Sequence, residues 1–269
     1  MKILIFGNGY IGNIFHNYFE NSIISKKRIL STQDALEEIK KENPDVVINA
    51  IAKSGIKNID WCEEHKEETL FSNAIVPFLI YDACKMANVF FVQIGTGCIF
   101  EGDNNGVGFS ELDEPNFEAS FYSRSKIVME KMLEDFSFLL IRIRLPIDKI
   151  SHSRNTLTKL LSFDKVTNIQ NSVTVIPSIL PAIKFLIDNR AIGVFNCTNP
   201  GSISHKEILE IYNEVKNSDK PINTFSIEEE SKILKAPRSN CVLNVDKLNK
   251  IYPLTPVKDA IFEVIKQYK

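Results

Sequence analysis

The stretch KILIFGNGYIGNIFHNYFE (2–20) decides how this chain folds. KILIF (2–6) is a short apolar run with no charge beyond Lys2, the pattern of a buried parallel strand. Gly7, Gly9 and Gly12 follow at once, and Ile14, Phe15, Tyr18 and Phe19 then recur at helical spacing. The stretch therefore predicts a strand, a tight glycine turn and a helix.

The same alternation continues outward. DVVINAIA (45–52), NVFFVQIGTG (88–97) and FSFLLIRIRLP (136–146) are further buried strands. Between them TQDALEEIKKEN (32–43), the run 65–87 and the run 121–136 have helical patterning. Strand alternating with helix is the mark of a doubly wound parallel sheet. After Pro146 the pattern loosens. The stretch 166–176 reads as strands, 178–189 as a helix and 193–202 as a late strand and turn. Ser204 and Glu207 predict a capping box at the start of a helix over 204–216. The expectation is an α/β fold: a Rossmann-type sheet domain over 1–146, and a smaller substrate-binding region over 147–269, partly interleaved with the sheet.

Composition narrows the function. The chain has 269 residues, 44% apolar and 25% charged, with a net charge of -2 and no basic block. A nucleic-acid partner is not expected, since tracking phosphates needs excess Lys and Arg. No run of about 18 apolar residues appears, so no membrane span is expected. The N-terminal apolar run stops at Gly7, short of a secretory signal core. Cys62, Cys84, Cys98, Cys197 and Cys241 are scattered, as are the four histidines, so reduced thiols, a cytoplasmic location and no metal are expected.

Gly7, Gly9 and Gly12 spell G-x-G-x-x-G. The first glycine permits the turn, the second lets backbone approach a pyrophosphate, and the third lets helix pack on strand. Tyr10 and Ile11 lie between them, at a helix start whose amides and partial positive charge suit a dinucleotide. The acidic residue that would hold an NAD ribose about 20 residues on is missing. SKKRI (25–29) stands there instead, so Arg28 is a candidate for a 2′-phosphate, which favours NADPH over NADH. A solvated charged loop is the competing reading.

YSRSK places Tyr122 and Lys126 four apart on one helix face, and Thr96 ends a strand upstream. A phenol with a pKa near 10 is a poor acid at neutral pH, and a nearby ammonium lowers that value. Tyr122 could then protonate a carbonyl oxygen that Thr96 also holds, while Lys126 donates to the cofactor ribose.

Glycine loop, strand-end Thr96 and YSRSK together resemble the extended short-chain dehydrogenase/reductases that act on nucleotide sugars. NIDWCEEHKEET (58–69), GTGCIF (95–100), GVGFSELDEPNFEASFYSRSK (106–126), SRNTLTK (153–159), FNCTNPGSISHKEILE (195–210) and APRSN (236–240) are similar to the plant-type UDP-4-keto-6-deoxyglucose 3,5-epimerase/4-reductases, which belong with the dTDP-4-dehydrorhamnose reductases. The resemblance implies conversion of UDP-4-keto-6-deoxy-D-glucose to UDP-L-rhamnose with NADPH, the keto sugar coming from a separate 4,6-dehydratase. A homodimer is compatible with it. The alternatives are a dTDP-4-dehydrorhamnose reductase without epimerase activity and a non-catalytic NADP-binding regulatory subunit.

The same resemblance assigns further residues. Pure reductases carry tyrosine at the place of Cys98, whereas epimerase-reductases carry cysteine there and a second acid–base group that maps onto Lys159. Inversion needs a base on one face and an acid on the other; the sequence leaves open which is which. By resemblance Asn49, Ala50 and Ala52 line the cofactor, Asn73 supports the site, Asn155 touches substrate, and Arg238 pairs with the diphosphate. Trp61 reads as core packing, with a sugar-stacking wall as its alternative.

Overall fold

A computed structural model describes residues 1–55, 58–226, 229 and 234–269. The chain forms two compact units. The first comprises 1–95, 118–141 and 187–194; the second comprises 96–117, 142–186 and 195–269.

In the first unit, β1 (Ile3–Phe6) is followed by α1 (Tyr10–Tyr18), β2 (Ser22–Ser25), α2 (Thr32–Glu42) and β3 (Val46–Asn49). Short helices α3 (Asp60–Glu64) and α4 (Lys66–Leu70) lead through a π-turn, Phe71–Ile75, into α5 (Val76–Ala87). Next come β4 (Phe90–Thr96), α6 (Phe121–Leu133) and β5 (Leu139–Ile143). The chemistry of the ends sets the helix limits. Ser31 and Asp34 close a capping box on α2. Asn43 and Asn88 end α2 and α5 in the left-handed region, at φ 45° and 54°, which asparagine tolerates better than most residues.

The sheet order is β2-β1-β3-β4-β5-β7, with β7 at Gly193–Asn196. The strands β2, β1, β3 and β4 pair in parallel. Their register sets Phe6 level with Ser25 and Asn49, and Asn49 level with Gln93. The segments after β1, β2 and β3 thus leave the sheet from one edge. The strand order reverses between β1 and β3, the switch point where ligands of such sheets bind.

Both strand faces are covered, so every residue of β1 and β3 is buried. Leu4, Phe6 and Val47 pack with Leu36 and Ile39 of α2, Ile80 and Ala83 of α5, and Met129 and Leu133 of α6. Truncating one of the larger of these to Ala costs about 2–5 kcal/mol. The helical run Lys66–Ala87 is long and apolar enough to cross a membrane by length and composition. Here Ala74, Val76, Ile80, Ala83 and Cys84 spend that apolar face on the core.

The second unit contains α7 (Thr156–Ser162), β6 (Lys165–Val166), most of α8 (Ile176–Asp188), α9 (His205–Lys216), β8 (Asn223–Thr224) and a C-terminal helix, Val257–Gln267. Its core joins Leu157 and Leu160, Val173 and Val175, Ile208 and Leu209, and Ile261, Val264 and Ile265. Ser204 and Glu207 form the expected capping box on α9. The stretch 166–176 differs from the expected strands. Only Lys165–Val166 pairs as a strand, with Asn223–Thr224, while Asn171 and Val175 make single bridges. Its amides go one at a time to separate partners: Ser172 N–H to the Cys241 carbonyl and Thr174 N–H to the Arg144 carbonyl.

A single division at 146 does not describe the grouping. Residues 96–117 belong with the C-terminal half, and 187–194 belong with the sheet.

Candidate active site

The glycine loop has the geometry its spacing implies. Gly7 sits at φ 113°, and a Cβ there would lie 2.7 Å from the Ala50 carbonyl carbon. A Cβ on Gly12 would lie 1.8 Å from Gly7 O, so only glycine lets α1 start this close to β1. A Cβ on Gly9 would meet nothing within 4 Å. Gly9 is the N-cap of α1 and supplies no capping side chain. The amides of Tyr10, Ile11 and Gly12 begin the helix, where N–H groups lack intrahelical acceptors. Asn13 braces the loop through Asn8 Oδ1 (3.1 Å) and Gly9 O (2.8 Å). An open glycine at a helix N-terminus, on the sheet's switch point, fits a dinucleotide pyrophosphate.

Residues around the loop are held by one another. Asn49 is fully buried; its Nδ2 donates to Gln93 Oε1 (2.8 Å) and its Oδ1 accepts the Ile51 N–H (3.0 Å). It shapes the 50–52 backbone, carrying Ala50 and Ala52, from behind. Arg28 is exposed in the segment after β2. Its neighbour Lys27 is paired with Glu37 (2.7 Å) and Asp34 (3.6 Å).

Tyr122 and Lys126 ride on α6, capped by Ser120, which accepts the Ser123 N–H at 3.1 Å. Tyr122 is half-buried. Lys126 is 1% exposed, and its Nζ donates to the Ile94 carbonyl at 3.3 Å. Burial lowers its pKa to about 8, with Glu130 opposing. Ile94 lies two residues before Thr96 on β4.

The π-turn at Phe71–Ile75 carries the fully buried Asn73. Asn73 Oδ1 accepts the Lys53 N–H (2.7 Å), and its Nδ2 donates to Lys53 O (2.9 Å) and to Ser125 Oγ (3.0 Å). Ser125 in turn donates to the Tyr122 carbonyl (2.7 Å). These bonds tie Asn73 to the helix that carries Tyr122. Single π-turns recur at functional sites, but no spacing rule announces one. Trp61 is half-buried rather than core; it stacks on His65 at 3.9 Å, with Lys53 Nζ 5.5 Å from its ring centre.

In the second unit, Thr96 Oγ1 accepts the Cys98 N–H at 3.1 Å. That bond occupies an oxygen lone pair and leaves the Thr96 hydroxyl proton to donate elsewhere. Cys62, Cys84, Cys197 and Cys241 are buried, whereas Cys98 is partly exposed.

Arg144 was not singled out by sequence. It is 2% exposed, and its Nη1 donates to Cys98 Sγ (3.2 Å) and Ser239 Oγ (3.1 Å). Its Nη2 donates to Ser239 O (2.6 Å) and to Asn171 Oδ1. Burial works against its charge, but Cys241, Cys98 and Glu101 outweigh that and raise its pKa.

Lys159 lies on α7, half-buried, and its pKa is lowered, first by burial and then by the charges of Arg154 and Arg238. Of these two arginines, Arg154 was not foreseen, and guanidinium groups suit a diphosphate. Arg238 Nη1 donates to Ala236 O at 2.7 Å. Asn155 departs from its expected role. It is the buried N-cap of α7, its Oδ1 accepting the Leu157 N–H (3.0 Å) and its Nδ2 donating to Asp148 O and Ile150 O (2.8 Å each). Its amide is committed to backbone and shapes the loop.

Comparison with known proteins fits this geometry. A family model described as RmlD substrate binding domain matches residues 1–269. A bifunctional dTDP-4-dehydrorhamnose 3,5-epimerase/dTDP-4-dehydrorhamnose reductase of Arabidopsis thaliana is 34% identical over 277 residues, covering 98% of this chain and 92% of that protein. A trifunctional UDP-glucose 4,6-dehydratase/UDP-4-keto-6-deoxy-D-glucose 3,5-epimerase/UDP-4-keto-L-rhamnose-reductase of the same plant is 35% identical over 276 residues. The alignment covers 98% of this chain but only 41% of that relative, so the chain spans about two fifths of its length. The crystal structure of a UDP-rhamnose synthase from Acanthamoeba polyphaga mimivirus superposes with a TM-score of 0.95 at 34% identity, covering 99% of each chain. At 18% identity, a dTDP-4-dehydrorhamnose reductase from Bacillus anthracis, solved with NADP, shares the fold with a TM-score of 0.83, covering 98% of this chain and 99% of that one. The chain belongs to the RmlD substrate binding domain family.

Proposed function

We propose that this protein is a bifunctional 3,5-epimerase/4-keto-reductase that converts UDP-4-keto-6-deoxy-D-glucose to UDP-L-rhamnose with NADPH. The observation that carries the epimerase half is Cys98: a partly exposed thiol two residues beyond the strand-end hydroxyl of Thr96. Reduction alone needs no such group. The glycine loop and the exposed Arg28 support NADPH, the loop for the pyrophosphate and Arg28 for the 2′-phosphate.

The chemistry assigns each residue a task. Carbons 3 and 5 flank the carbon-4 ketone, which acidifies their protons. Loss of one proton places negative charge on the ketone oxygen, where the Thr96 hydroxyl and the Tyr122 phenol donate. Cys98 and Lys159 exchange the carbon-bound protons, one removing and the other returning them. The lowered pKa of Lys159 brings its proton within easier reach. Arg238 and Arg154 hold the diphosphate. Bound NADPH supplies the hydride for carbon 4. Tyr122 then protonates the oxygen, and Lys126 supports the phenol and the cofactor ribose. Reduction comes last, because it destroys the ketone that makes inversion possible.

The dTDP sugar is the second reading, favoured by the name of the bifunctional plant relative matched over 92% of its length. The keto sugar is the product of a 4,6-dehydration, so a dehydratase is the expected functional partner, in the cytoplasm. The test supplies UDP- and dTDP-4-keto-6-deoxyglucose with NADPH and identifies the product by NMR. An L-rhamnose nucleotide, with stoichiometric NADPH oxidation and no added epimerase, is the expected outcome. A reduced sugar with carbons 3 and 5 uninverted would leave a reductase only, and no NADPH oxidation would leave a binding protein.

A further inference from the structure

Cys98 and Lys159 leave one question open: which removes the proton from carbon. We infer that Arg144 makes Cys98 the base, its guanidinium fixing the sulfur and carrying the countercharge for the thiolate that accepts the proton. This inference rests on the epimerase reading above.

The geometry is unusual for an arginine. A guanidinium buried this deeply normally faces a carboxylate. Here its short contacts are neutral oxygens of Ser239 and Asn171, together with the sulfur of Cys98. Glu101 acts on it electrostatically, but that carboxylate has its pKa raised, chiefly by burial, and spends Oε2 on the Asn240 N–H (2.8 Å). The other titratable neighbours are Cys241, whose pKa burial lifts to about 11, and His205, which burial holds at about 4. Neither supplies negative charge near neutral pH. The guanidinium that donates to Sγ at 3.2 Å thus has its positive charge beside the sulfur.

The anchoring points the same way. Ser239 Oγ accepts from Nη1 and donates to the Phe100 carbonyl (2.6 Å). Asn171 accepts from Nη2, while its Nδ2 holds Asn240 Oδ1 (3.1 Å). Nη2 is thus held by Asn171 and Ser239, and Nη1 is shared between Ser239 Oγ and Sγ. The Cys98 N–H on Thr96 Oγ1 fixes the other end of the residue.

The step balances. The C–H bond breaks as the S–H bond forms, and the electron pair of that C–H bond moves to the ketone oxygen as an enolate. The Lys159 ammonium then protonates the enolate carbon on the opposite face. The thiol and the neutral amine return to their starting forms by proton exchange with solvent.

The test measures solvent deuterium entering carbons 3 and 5 of the keto sugar without NADPH, beside NADPH-dependent reduction of the already epimerised keto sugar. In Arg144→Met the exchange should fall about 100-fold or more, while reduction changes only a few-fold, which also reports the fold intact. Iodoacetamide should alkylate Cys98 about 10-fold more slowly in that variant. Arg144→Lys, which restores a cation, should recover at least a tenth of the exchange, and it covers the case in which Arg144→Met does not fold. Unchanged exchange and alkylation in Arg144→Met, or an Arg144→Lys enzyme no better than Arg144→Met, would overturn the inference. Failure of the wild-type protein to exchange deuterium into either sugar would instead defeat the epimerase reading itself.

Discussion

Lys126 and Arg144 are both buried, one in each unit, and the two are treated in opposite ways. Lys126, in the sheet unit, donates to a single carbonyl at 3.3 Å and has its pKa lowered to about 8 by burial. Arg144, in the second unit, donates to a sulfur, a hydroxyl, a carbonyl and an amide oxygen, and keeps its charge. The first cation is under-solvated and gains from a partner that arrives; the second is pre-assembled. That contrast matches the two halves of the proposed reaction. Reduction needs an ammonium that responds to cofactor and phenol. Inversion needs a base whose counter-ion is in place before substrate binds.

The largest effect expected from breaking this comparison is at Lys126. Lys126→Met removes the ammonium that supports the phenol, and reduction should fall by about 10²–10⁴-fold, the range ascribed to general acid–base groups. NADPH oxidation followed by absorbance checks it. Deuterium exchange should suffer less, since the Thr96 hydroxyl and the Cys98–Arg144 pair remain. If exchange and reduction fell equally, the division of labour between the two cations would be lost.

The difference between the cations also separates what the sequence reveals from what it hides. The glycine loop, the strand before it and the Tyr122–Lys126 pair each lie within a few residues, so a local pattern carries them. The capping box of Ser204 and Glu207 is equally local. Arg144 reads in sequence as part of an apolar strand end, IRIRLP, and its partners Cys98 and Ser239 lie 46 and 95 residues away. Nothing local marks such a contact. The stretch 166–176 misleads for a related reason: its β-branched residues suit strands, but their amides find scattered long-range acceptors instead of a ladder. Asn155 shows the limit of resemblance as well. Its place in NTLTK suggests a ligand contact, while an N-cap position uses the same amide on backbone.

A pH profile sharpens the comparison with a smaller signal. The proposed reduction uses Lys126 in its charged form, and burial lowers its pKa to about 8. The value of kcat/KM for reduction should therefore be level below that pH and fall tenfold per unit above it, and this parameter reports groups of the free enzyme. Arg144 keeps its charge throughout and adds no limb of its own. An alkaline limb displaced to about 10, the range of an ordinary lysine, would mean that burial does not govern Lys126.

The smallest expected effect lies at the surface, where neither kind of buried cation applies. Arg28 is exposed beyond β2, at the sheet edge where Phe6 and Ser25 stand level. Lys27 is committed to Glu37 and Asp34, so Arg28 and Lys26 are the cations that remain for a 2′-phosphate. An exposed pair of this kind is screened by salt and is worth about 1 kcal/mol or less. Arg28→Ala should accordingly raise the Michaelis constant for NADPH by about 2- to 5-fold, leave that for NADH unchanged, and lose most of this difference in high salt. Initial rates with both cofactors at two ionic strengths measure it. Equal constants for NADH and NADPH, unaltered by the substitution, would mean that the SKKRI segment is a solvated loop and that cofactor choice is made elsewhere along the sheet edge.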